Sequence, residues 1–281
     1  MSIMKKIREY LNRPLSFAVF LLIIISTVIT ALTVVFIIGY IFIKGVPNLS
    51  LDLFSLKYSS SNQSMLPSII NTVYLTALTL LLSVPIGIFS AIYLAEYSRK
   101  NSFFVKIINI ANETLSGIPS IVYGLFGFLA FVISKKWGYS LLAGVITLAI
   151  MVLPLIIRTS QEAMLGVDNT FREASYGLGA GKLRTVFKIV LPSAMPGILS
   201  GIILAIGRIV GETAALIYTA GTVPEAATKL TSSSRTISVH LYCLLNEGLY
   251  TEQAYATAVV LIVFVVIINA LSNALAKKIM K

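Results

Sequence analysis

Residues 173–192 read EASYGLGAGKLRTVFKIVLP, and three glycines interrupt this otherwise helix-favouring segment. Just before it, Thr170 is followed three residues later by Glu173, the spacing of a capping box, which predicts that a short helix begins there. Glycine readily adopts positive φ, so the glycines predict the end of that helix and a tight turn. A second helix is predicted over 182–190, stopped by Leu191-Pro192. The three glycines are Gly177, Gly179 and Gly181.

The predicted helix–turn–helix is apolar on one face and basic on the other, which leaves two interpretations. Such a segment can lie on anionic lipid, or it can dock on a cytosolic partner. We favour docking, because a compact hairpin requires a glycine turn and a surface-lying helix does not. The apolar face of the second helix carries Leu183, Val186, Phe187 and Val190, and the basic residues are Lys182, Arg184 and Lys188.

The turn sequence GLGAGK imitates a phosphate-binding loop without meeting its requirements. That pattern needs a glycine five residues before the Gly-Lys pair and a Ser or Thr directly after the pair. Here the first position is Tyr176 and the last is Leu183. We therefore predict that this chain binds no nucleotide and that a separate subunit uses any ATP.

Long apolar runs lie on both sides of this hairpin. Of 281 residues, 57% are hydrophobic and 12% are charged, against about 45–50% and about 25% in soluble domains. This small number of charged residues cannot cover a water-facing surface. We therefore predict an integral membrane protein. A spanning helix needs about 20 apolar residues. Six spans are predicted: 15–43, 66–97 with an interruption at Pro85-Ile86-Gly87, 117–134, 141–157, 195–219 and 253–276.

Basic residues are distributed unevenly between the two sides of these spans. Of the 22 Lys and Arg residues, 15 fall on the side of the N-terminus, 6 fall on the other side and one lies inside a span. Cytoplasmic loops are enriched in Lys and Arg, so we predict a cell-membrane protein with both termini in the cytoplasm. This topology accounts for the net charge of +11 without nucleic acid as a partner. Within the outer segment 220–252, the stretch around Thr231-Ser232-Ser233-Ser234 is predicted to be a flexible loop.

Two charged residues occupy the middle of the fifth predicted span. Arg208 and Glu212 are four residues apart, on one face of a continuous helix. Each such charge costs roughly 2.5–3.5 kcal/mol on insertion scales. The two form either an ion pair that fixes helix packing or a charged constriction on a substrate path, where the fork of Arg208 suits an oxyanion. Glu212 would hold Arg208 at rest or receive a proton from the substrate.

The third predicted span opens with Gly117-Ile118-Pro119-Ser120. Such an opening leaves backbone amides free to hold an anion at a helix N-terminus, although a bend is the commoner consequence of a proline. The candidate pathway residues are Arg208, Glu212, Thr213 and Ser120. The single cysteine, Cys243, excludes an internal disulfide, and no metal site is predicted.

The hairpin and three further stretches carry a resemblance to a known family. Glu173-Ala174-Ser175, Gly179 and Ile189-Val190-Leu191-Pro192 have the spacing of the EAA signature of ABC-importer permeases, with Ser175 in place of the usual second alanine. The other stretches resemble the A-type permease subunits of bacterial phosphate importers, the PstA family. They are SGIPSIVYGLFG at 116–127, VLPLIIRTSQEAM at 152–164 and GRIVGETAAL at 207–216.

This resemblance implies an all-α integral membrane fold with six transmembrane helices, the type I ABC importer permease fold (MetI-like), with a cytoplasmic coupling helix in the hairpin. It implies translocation of inorganic phosphate by a complex with a homologous second permease subunit, two copies of a cytosolic ATPase subunit, and an extracytoplasmic phosphate-binding protein or lipoprotein. This chain would not be an enzyme by itself and would bind no cofactor, because ATP and Mg²⁺ would be used by the ATPase. The implied ATPase contacts are Glu173, Ala174, Ser175, Gly179, Leu191 and Pro192, and Glu173 would also cap its own helix.

The implied division of the chain is a cytoplasmic tail over 1–14, a first transmembrane anchor over 15–44, an extracytoplasmic loop over 45–65, a permease domain over 66–276 with its coupling loop at 166–194, and a tail over 277–281. One alternative function is a permease for another oxyanion. Another is an ion-coupled secondary anion transporter with Glu212 as proton site, which leaves the glycine hairpin unexplained. An intramembrane enzyme is disfavoured, because the only histidine, His240, lies in the outer segment and no H-E-x-x-H or G-x-S-x-G motif is present.

Overall fold

The computed structural model describes residues 14–98 and 102–279, and within these ranges the chain is helical and has no strand. Five helices are long and apolar enough to cross a membrane, or six if one bent pair counts as a single span. The prediction of an all-α membrane protein is therefore confirmed. The predicted tail residues 1–13, the loop residues Arg99 and Lys100, and residues 280–281 lie outside the described ranges.

Eleven α-helices follow one another in the described ranges, and three of them continue directly into π-helical turns. They are α1 (Pro14–Gly45), α2 (Leu66–Ile92, continued by Tyr93–Tyr97), α3 (Phe103–Gly117), α4 (Ser120–Gly127, continued by Phe128–Ser134), α5 (Leu141–Leu165), α6 (Asn169–Gly177), α7 (Lys182–Thr185, continued by Val186–Val190), α8 (Leu191–Val210), α9 (Ala214–Thr219), α10 (Ile237–Glu247) and α11 (Thr251–Ile279).

Helix α1 is apolar on all sides, and no residue in its most apolar 18-residue stretch is buried by the rest of the described chain. An all-round apolar surface of this kind is stable only in a hydrocarbon environment. At its outer end, α1 packs closely against α11, where Gly45 leaves no room for a Cβ beside the Tyr255 carbonyl. Helix α1 is therefore attached to the body of the protein through α11.

The core of the protein lies where α5 packs between α2 and α8. Gly87 of α2 permits a close approach, because an added Cβ would lie 2.6 Å from Cγ2 of Ile156 in α5. The predicted interruption at Pro85 is wrong, since α2 runs through this residue without a break. Proline within a helix is tolerated in membrane-spanning segments when surrounding groups satisfy the freed backbone acceptor.

The fifth predicted span, 195–219, is shifted and divided in the structure. Its apolar helix begins at Lys182 and ends at Val210, so Leu191-Pro192 does not stop the second hairpin helix as predicted. Pro192 lies in the first turn of α8, where its missing N–H costs least. The hairpin and the span thus form one nearly continuous helical segment, and the break lies deeper, at residues 211–213.

Helix α3 was not predicted from the sequence. It is amphipathic, packs Val105 against Leu94 and Ile157, and meets α4 at an angle of 101°. Polar residues such as Asn109 and Asn112 interrupt its apolar positions, so α3 lacks the continuous apolar stretch of a simple spanning helix. The third predicted span is therefore the second arm of a bent pair of helices.

The outer segment 220–252 is attached to the helices at several points, including its serine-rich stretch, where Ser232 and Ser234 make backbone hydrogen bonds to Leu141 and Ala220. It contains α10, and its backbone is joined to the helices by buried hydrogen bonds. Asn71 at the outer end of α2 donates to the carbonyls of Glu225 and Arg235, at 2.9 and 3.1 Å, and accepts from the N–H of Ala227 at 2.8 Å. A single buried amide thus fixes three points of the segment, which the serine-rich composition did not reveal.

Candidate functional site

The two charges inside the membrane lie on either side of a helix break. Helix α8 ends at Val210, Gly211 follows it, and α9 begins at Ala214. The prediction that Arg208 and Glu212 share one face of a continuous helix is therefore wrong. Arg208 belongs to the last turn of α8, whereas Glu212 lies in the irregular backbone between the two helices.

Each charge lies at the helix end that suits its sign. The last turn of a helix carries partial negative charge and the first turn partial positive charge, which favours Arg208 at the end of α8 and Glu212 at the start of α9. Glu212 is 8% exposed, and its Oε1 accepts the N–H of Ala215 at 3.0 Å. The carboxylate thus satisfies a backbone donor that the helix break would otherwise leave free.

Arg208 and Glu212 do not form an ion pair with each other. In residues 14–98 and 102–279 the ion pairs are Arg158–Glu162 and Arg172–Glu96. Arg208 is partly buried, and no described carboxylate neutralises it. A partly buried guanidinium without a counter-ion is prepared to bind an anion, because its planar N–H fork is not otherwise engaged by an acid.

The wall next to the break is formed by α4, which packs directly on α9. Gly124 allows this contact, because an added Cβ would lie 2.8 Å from the Cα of Ala215. Tyr123 of the same helix is 4% exposed, lies within electrostatic range of Arg208, and donates its hydroxyl to the Leu115 carbonyl at 2.7 Å. Tyr123 therefore interacts with Arg208 near the break and with the backbone of α3 near the bend between α3 and α4.

The four predicted pathway residues are only partly brought together. Thr213 lies in the break beside Glu212, and its Oγ1 is 3.4 Å from the Gly211 carbonyl. Ser120 is the first residue of α4, directly after the 101° bend. Among the described side chains, no hydrogen bond connects Ser120 with the break. Ser120 lies on α4, the helix that forms the wall next to the break.

The sequence analysis missed the residues that close the break on its outer side. Ser238 in the first turn of α10 donates its hydroxyl to the Glu212 carbonyl at 2.7 Å, and Thr72 of α2 accepts the N–H of Ile237 at 3.0 Å. The signal that could have found them is polarity at the outer end of an apolar span, in the sequence Asn71-Thr72. Their partners are 26 and 165 residues away, so sequence spacing gave no indication of the contacts.

A buried cation lies behind this outer closure. Arg235 is 4% exposed, and its guanidinium lies 4.7 Å from the ring centroid of Tyr58, which packs edge-on against His240. Burial, with a further contribution from Arg235, lowers the pKa of His240 to about 3, so this histidine is neutral at physiological pH. These contacts connect the loop before α2 to α10 and make His240 a packed residue.

The predicted hairpin is present, but its cap differs from the prediction. Helix α6 begins at Asn169, and the cap is Asp168, which accepts the N–H of Thr170 at 2.9 Å. The capping box of Thr170 and Glu173 is therefore wrong, and Glu173 does not cap its own helix. The same hydrogen bond lowers the pKa of Asp168 below its usual value. A carboxylate outcompetes a threonine hydroxyl here because it is charged and complements the helix dipole.

A buried hydrogen bond joins the two hairpin helices, and part of their remaining surface is exposed. Ser175 and Thr185 share a hydrogen bond of 2.8 Å between their hydroxyls, and Gly179 has φ of +81° in the turn. Val186 and Val190 are buried, as their apolar face predicted, while Leu183 and Phe187 are exposed. Of the predicted ATPase contacts, Ser175 is buried and Leu191 half-buried, while Glu173, Ala174, Gly179 and Pro192 are exposed.

The exposed surface of the hairpin includes several apolar side chains. Leu178 at the turn is 90% exposed and Leu183 is 66% exposed. Exposed apolar patches with polar surroundings mark sites of protein association. The additional exposed members are Phe171, Tyr176 and Phe187.

A helix break within an apolar span, a cation that no described carboxylate neutralises and an exposed hairpin are features that suit a permease, the membrane component of a transport system. The sequence matches the family described as "Binding-protein-dependent transport system inner membrane component" over residues 83–281. The chain belongs to this family and is an ABC importer permease subunit, not an enzyme by itself.

Similar proteins agree with this family. The chain is 32% identical to the "Probable ABC transporter permease protein YqgI" of Bacillus subtilis, over 82% of this chain and 84% of that protein. It is 35% identical to the "Phosphate transport system permease protein PstA" of Pasteurella multocida, over 80% and 81% of the two chains. The resemblance to the PstA family is therefore confirmed.

The fold is also that of solved importer permeases. A chain of a bacterial ABC transporter that imports the acidic polysaccharide alginate superposes with a TM-score of 0.67 at 18% identity, covering 99% of this chain and 100% of the other. A chain of the MetNI methionine transporter superposes with a TM-score of 0.58 at 17% identity, covering 76% and 94%. These matches confirm the MetI-like permease fold.

Proposed function

We propose that this permease subunit carries inorganic phosphate into the cytoplasm. The observation that carries the proposal is Arg208, a partly buried cation without a described counter-ion at a helix break inside the membrane. Phosphate is doubly or singly negative at neutral pH, and a guanidinium binds two of its oxygens at once. The relatives named for phosphate transport support this substrate, whereas the name of the Bacillus subtilis relative specifies none.

The proposed pathway runs past Arg208, with the break and α4 as its walls. Glu212 is engaged by the Ala215 N–H and Ser238 fixes its backbone, so Glu212 holds the break in shape while Arg208 is free for the anion. Thr213 contributes a hydroxyl at the same level, and Ser120 contributes one from the wall. In this arrangement Glu212 is a structural carboxylate, and the positive charge of Arg208 selects the anion.

The proposal includes the remaining components of the complex. A homologous second permease subunit, two cytosolic ATPase subunits and an extracytoplasmic phosphate-binding protein or lipoprotein would complete the importer, with both termini of this chain in the cytoplasm. ATP and Mg²⁺ would be bound by the ATPase, and this chain would hold no cofactor. The exposed apolar surface of the hairpin supports this assignment, because the ATPase would cover Leu178 and Leu183.

The test of substrate and energy source is uptake of radiolabelled phosphate into proteoliposomes that contain the whole complex, with the binding protein added outside and ATP supplied inside. We expect uptake only with ATP, and we expect unlabelled phosphate to compete better than sulfate or molybdate. Stronger competition by one of those anions would identify a permease for another oxyanion. Uptake that is independent of ATP and follows a proton gradient would identify a secondary transporter.

The docking role of the hairpin predicts that Glu173→Lys weakens co-purification of the ATPase subunit. Glu173 is exposed and does not cap α6, so the change leaves the hairpin folded and alters only the surface charge. The measurement is the amount of ATPase recovered with the tagged permease. Lys106→Glu, at an exposed residue of α3 outside the hairpin, is the control with the opposite charge change. Equal recovery from both variants and the unmodified complex would contradict the docking role.

A further inference from the structure

The hairpin grips the cytoplasmic end of α2 with one cation from each of its two helices. Arg172 of α6 forms an ion pair with Glu96, with Nη2 at 2.7 Å and Nε at 3.1 Å from the same carboxylate oxygen. Lys182 of α7 lies 4.8 Å from the ring centroid of Tyr97, the next residue of α2. Both contacts fall in the π-helical turn that ends this helix.

The ion pair is held more firmly than an exposed one. The side chains of Arg172 and Glu96 are 13% and 6% exposed, so water cannot readily replace either partner. Arg172 also donates to the carbonyls of Val167 and Met164, at 2.7 and 2.8 Å. The guanidinium is therefore fixed to the loop before α6 and to the end of α5, and any displacement of the hairpin acts on Glu96.

Helix α2 extends from this grip to the outer side of the membrane. At 1.5 Å per residue, the distance from Glu96 to Asn71 along the helix is about 38 Å, enough to cross the hydrocarbon core. At its outer end, Asn71 holds the backbone of the segment 220–236, and Thr72 accepts the N–H of Ile237 at 3.0 Å. Thus one helix contacts the hairpin inside and the outer segment outside.

The outer segment in turn holds the helix break. Ser238 follows Ile237 directly, and its hydroxyl donates to the Glu212 carbonyl at 2.7 Å. We infer that α2, in addition to the direct connection through α8, couples the cytoplasmic hairpin to the break at Arg208, with the Arg172–Glu96 ion pair as its inner attachment and Asn71 as its outer attachment. This inference rests on the proposed importer function and assigns Glu96 and Arg172 as positioning residues for it.

The variant that separates coupling from docking is Glu96→Ala. It removes the inner attachment while Arg172 keeps its bonds to the two carbonyls and the exposed hairpin surface is unchanged. In proteoliposomes we expect the ATPase to co-purify normally, and the phosphate imported per ATP hydrolysed to fall by about fivefold or more, the lower end of usual coupling energies. The matched control is Glu162→Ala, which breaks the Arg158–Glu162 ion pair. The side chains of this pair are 57% and 63% exposed, so the control should leave the import ratio unchanged.

A second measurement reports on the segment held at the outer end of α2, and it requires ATP but no phosphate. Val223 is exposed, and its carbonyl accepts the N–H of Arg235. With Val223→Cys in a Cys243→Ala background, we expect ATP binding to change the rate of labelling by an impermeant maleimide, and we expect Glu96→Ala to abolish that change.

The outcomes distinguish this inference from the proposed function. An unaltered import ratio in Glu96→Ala, an ATP-dependent labelling change that persists in it, or loss of ATPase association would each overturn the role of α2 in coupling. Absence of ATP-driven phosphate uptake by the unmodified complex would instead overturn the proposed substrate, while the labelling measurement would still test α2.

Discussion

Replacing Arg208 by alanine is expected to abolish phosphate uptake while the complex still assembles and hydrolyses ATP. Arg208 is partly buried in the last turn of α8, and in the described part of the chain it has no acidic partner. Its removal would therefore not leave a carboxylate unpaired. Truncating one partner of a desolvated charge pair costs about 2–5 kcal/mol, so loss of the contact with phosphate lowers uptake to background.

The measurement is ATP-dependent uptake of radiolabelled phosphate alongside ATP hydrolysis by the same proteoliposomes. Arg208→Lys should retain part of the activity, because lysine keeps the charge but loses the planar fork that binds two oxygens. Leu204→Ala, an exposed position one turn earlier in α8, is the control for insertion and assembly. Normal uptake by Arg208→Ala would remove Arg208 from the pathway.

The second large effect is expected from Gly124→Ala, which inserts a single methyl group between α4 and α9. The added Cβ would lie 2.8 Å from the Cα of Ala215 and 3.1 Å from the carbonyl oxygen of Ala214. Both atoms belong to the backbone, so no side-chain rotation relieves the overlap. Overpacking of this kind costs about 1–3 kcal/mol, and here it displaces α9, which begins at Ala214, two residues after Glu212.

We therefore expect Gly124→Ala to reduce uptake strongly and to lower the temperature at which the detergent-solubilised complex loses its folded state. Gly39→Ala in α1 is the matched control, because no atom lies within 4 Å of its added Cβ. If the two variants transport phosphate equally and melt at the same temperature, the close packing of α4 on α9 is not required for function.

Local patterns in the sequence predicted the membrane class and the hairpin. Apolar runs such as 15–43 and 141–157 are long enough to require hydrocarbon on their own, and the glycines at 177–181 fix a turn because few other residues adopt its backbone conformation. The EAA spacing then led to the permease family. These features depend on residues close together in the chain, so sequence was sufficient to find them.

The local predictions that were wrong each involved a competition that only packing decided. Asp168 and Thr170 are both acceptable caps, and the structure uses the charged one. Pro85 and Pro192 are both plausible breaks, yet α2 runs through Pro85, and Pro192 lies in the first turn of α8. Conversely, no strong sequence signal marks Gly211 as a helix end, although α8 ends there.

The sequence by itself determined that this protein spans a membrane, that it carries a glycine-linked hairpin and that two charges lie within an apolar run. Only the tertiary structure decided that these charges lie at separate helix ends, that Asn71 orders the outer segment and that Arg172 binds Glu96. The physical reason is distance along the chain: Asn71 and Arg235 are 164 residues apart, and Glu96 and Arg172 are 76 apart. Such contacts form only after the helices have packed, so no local pattern of residues encodes them.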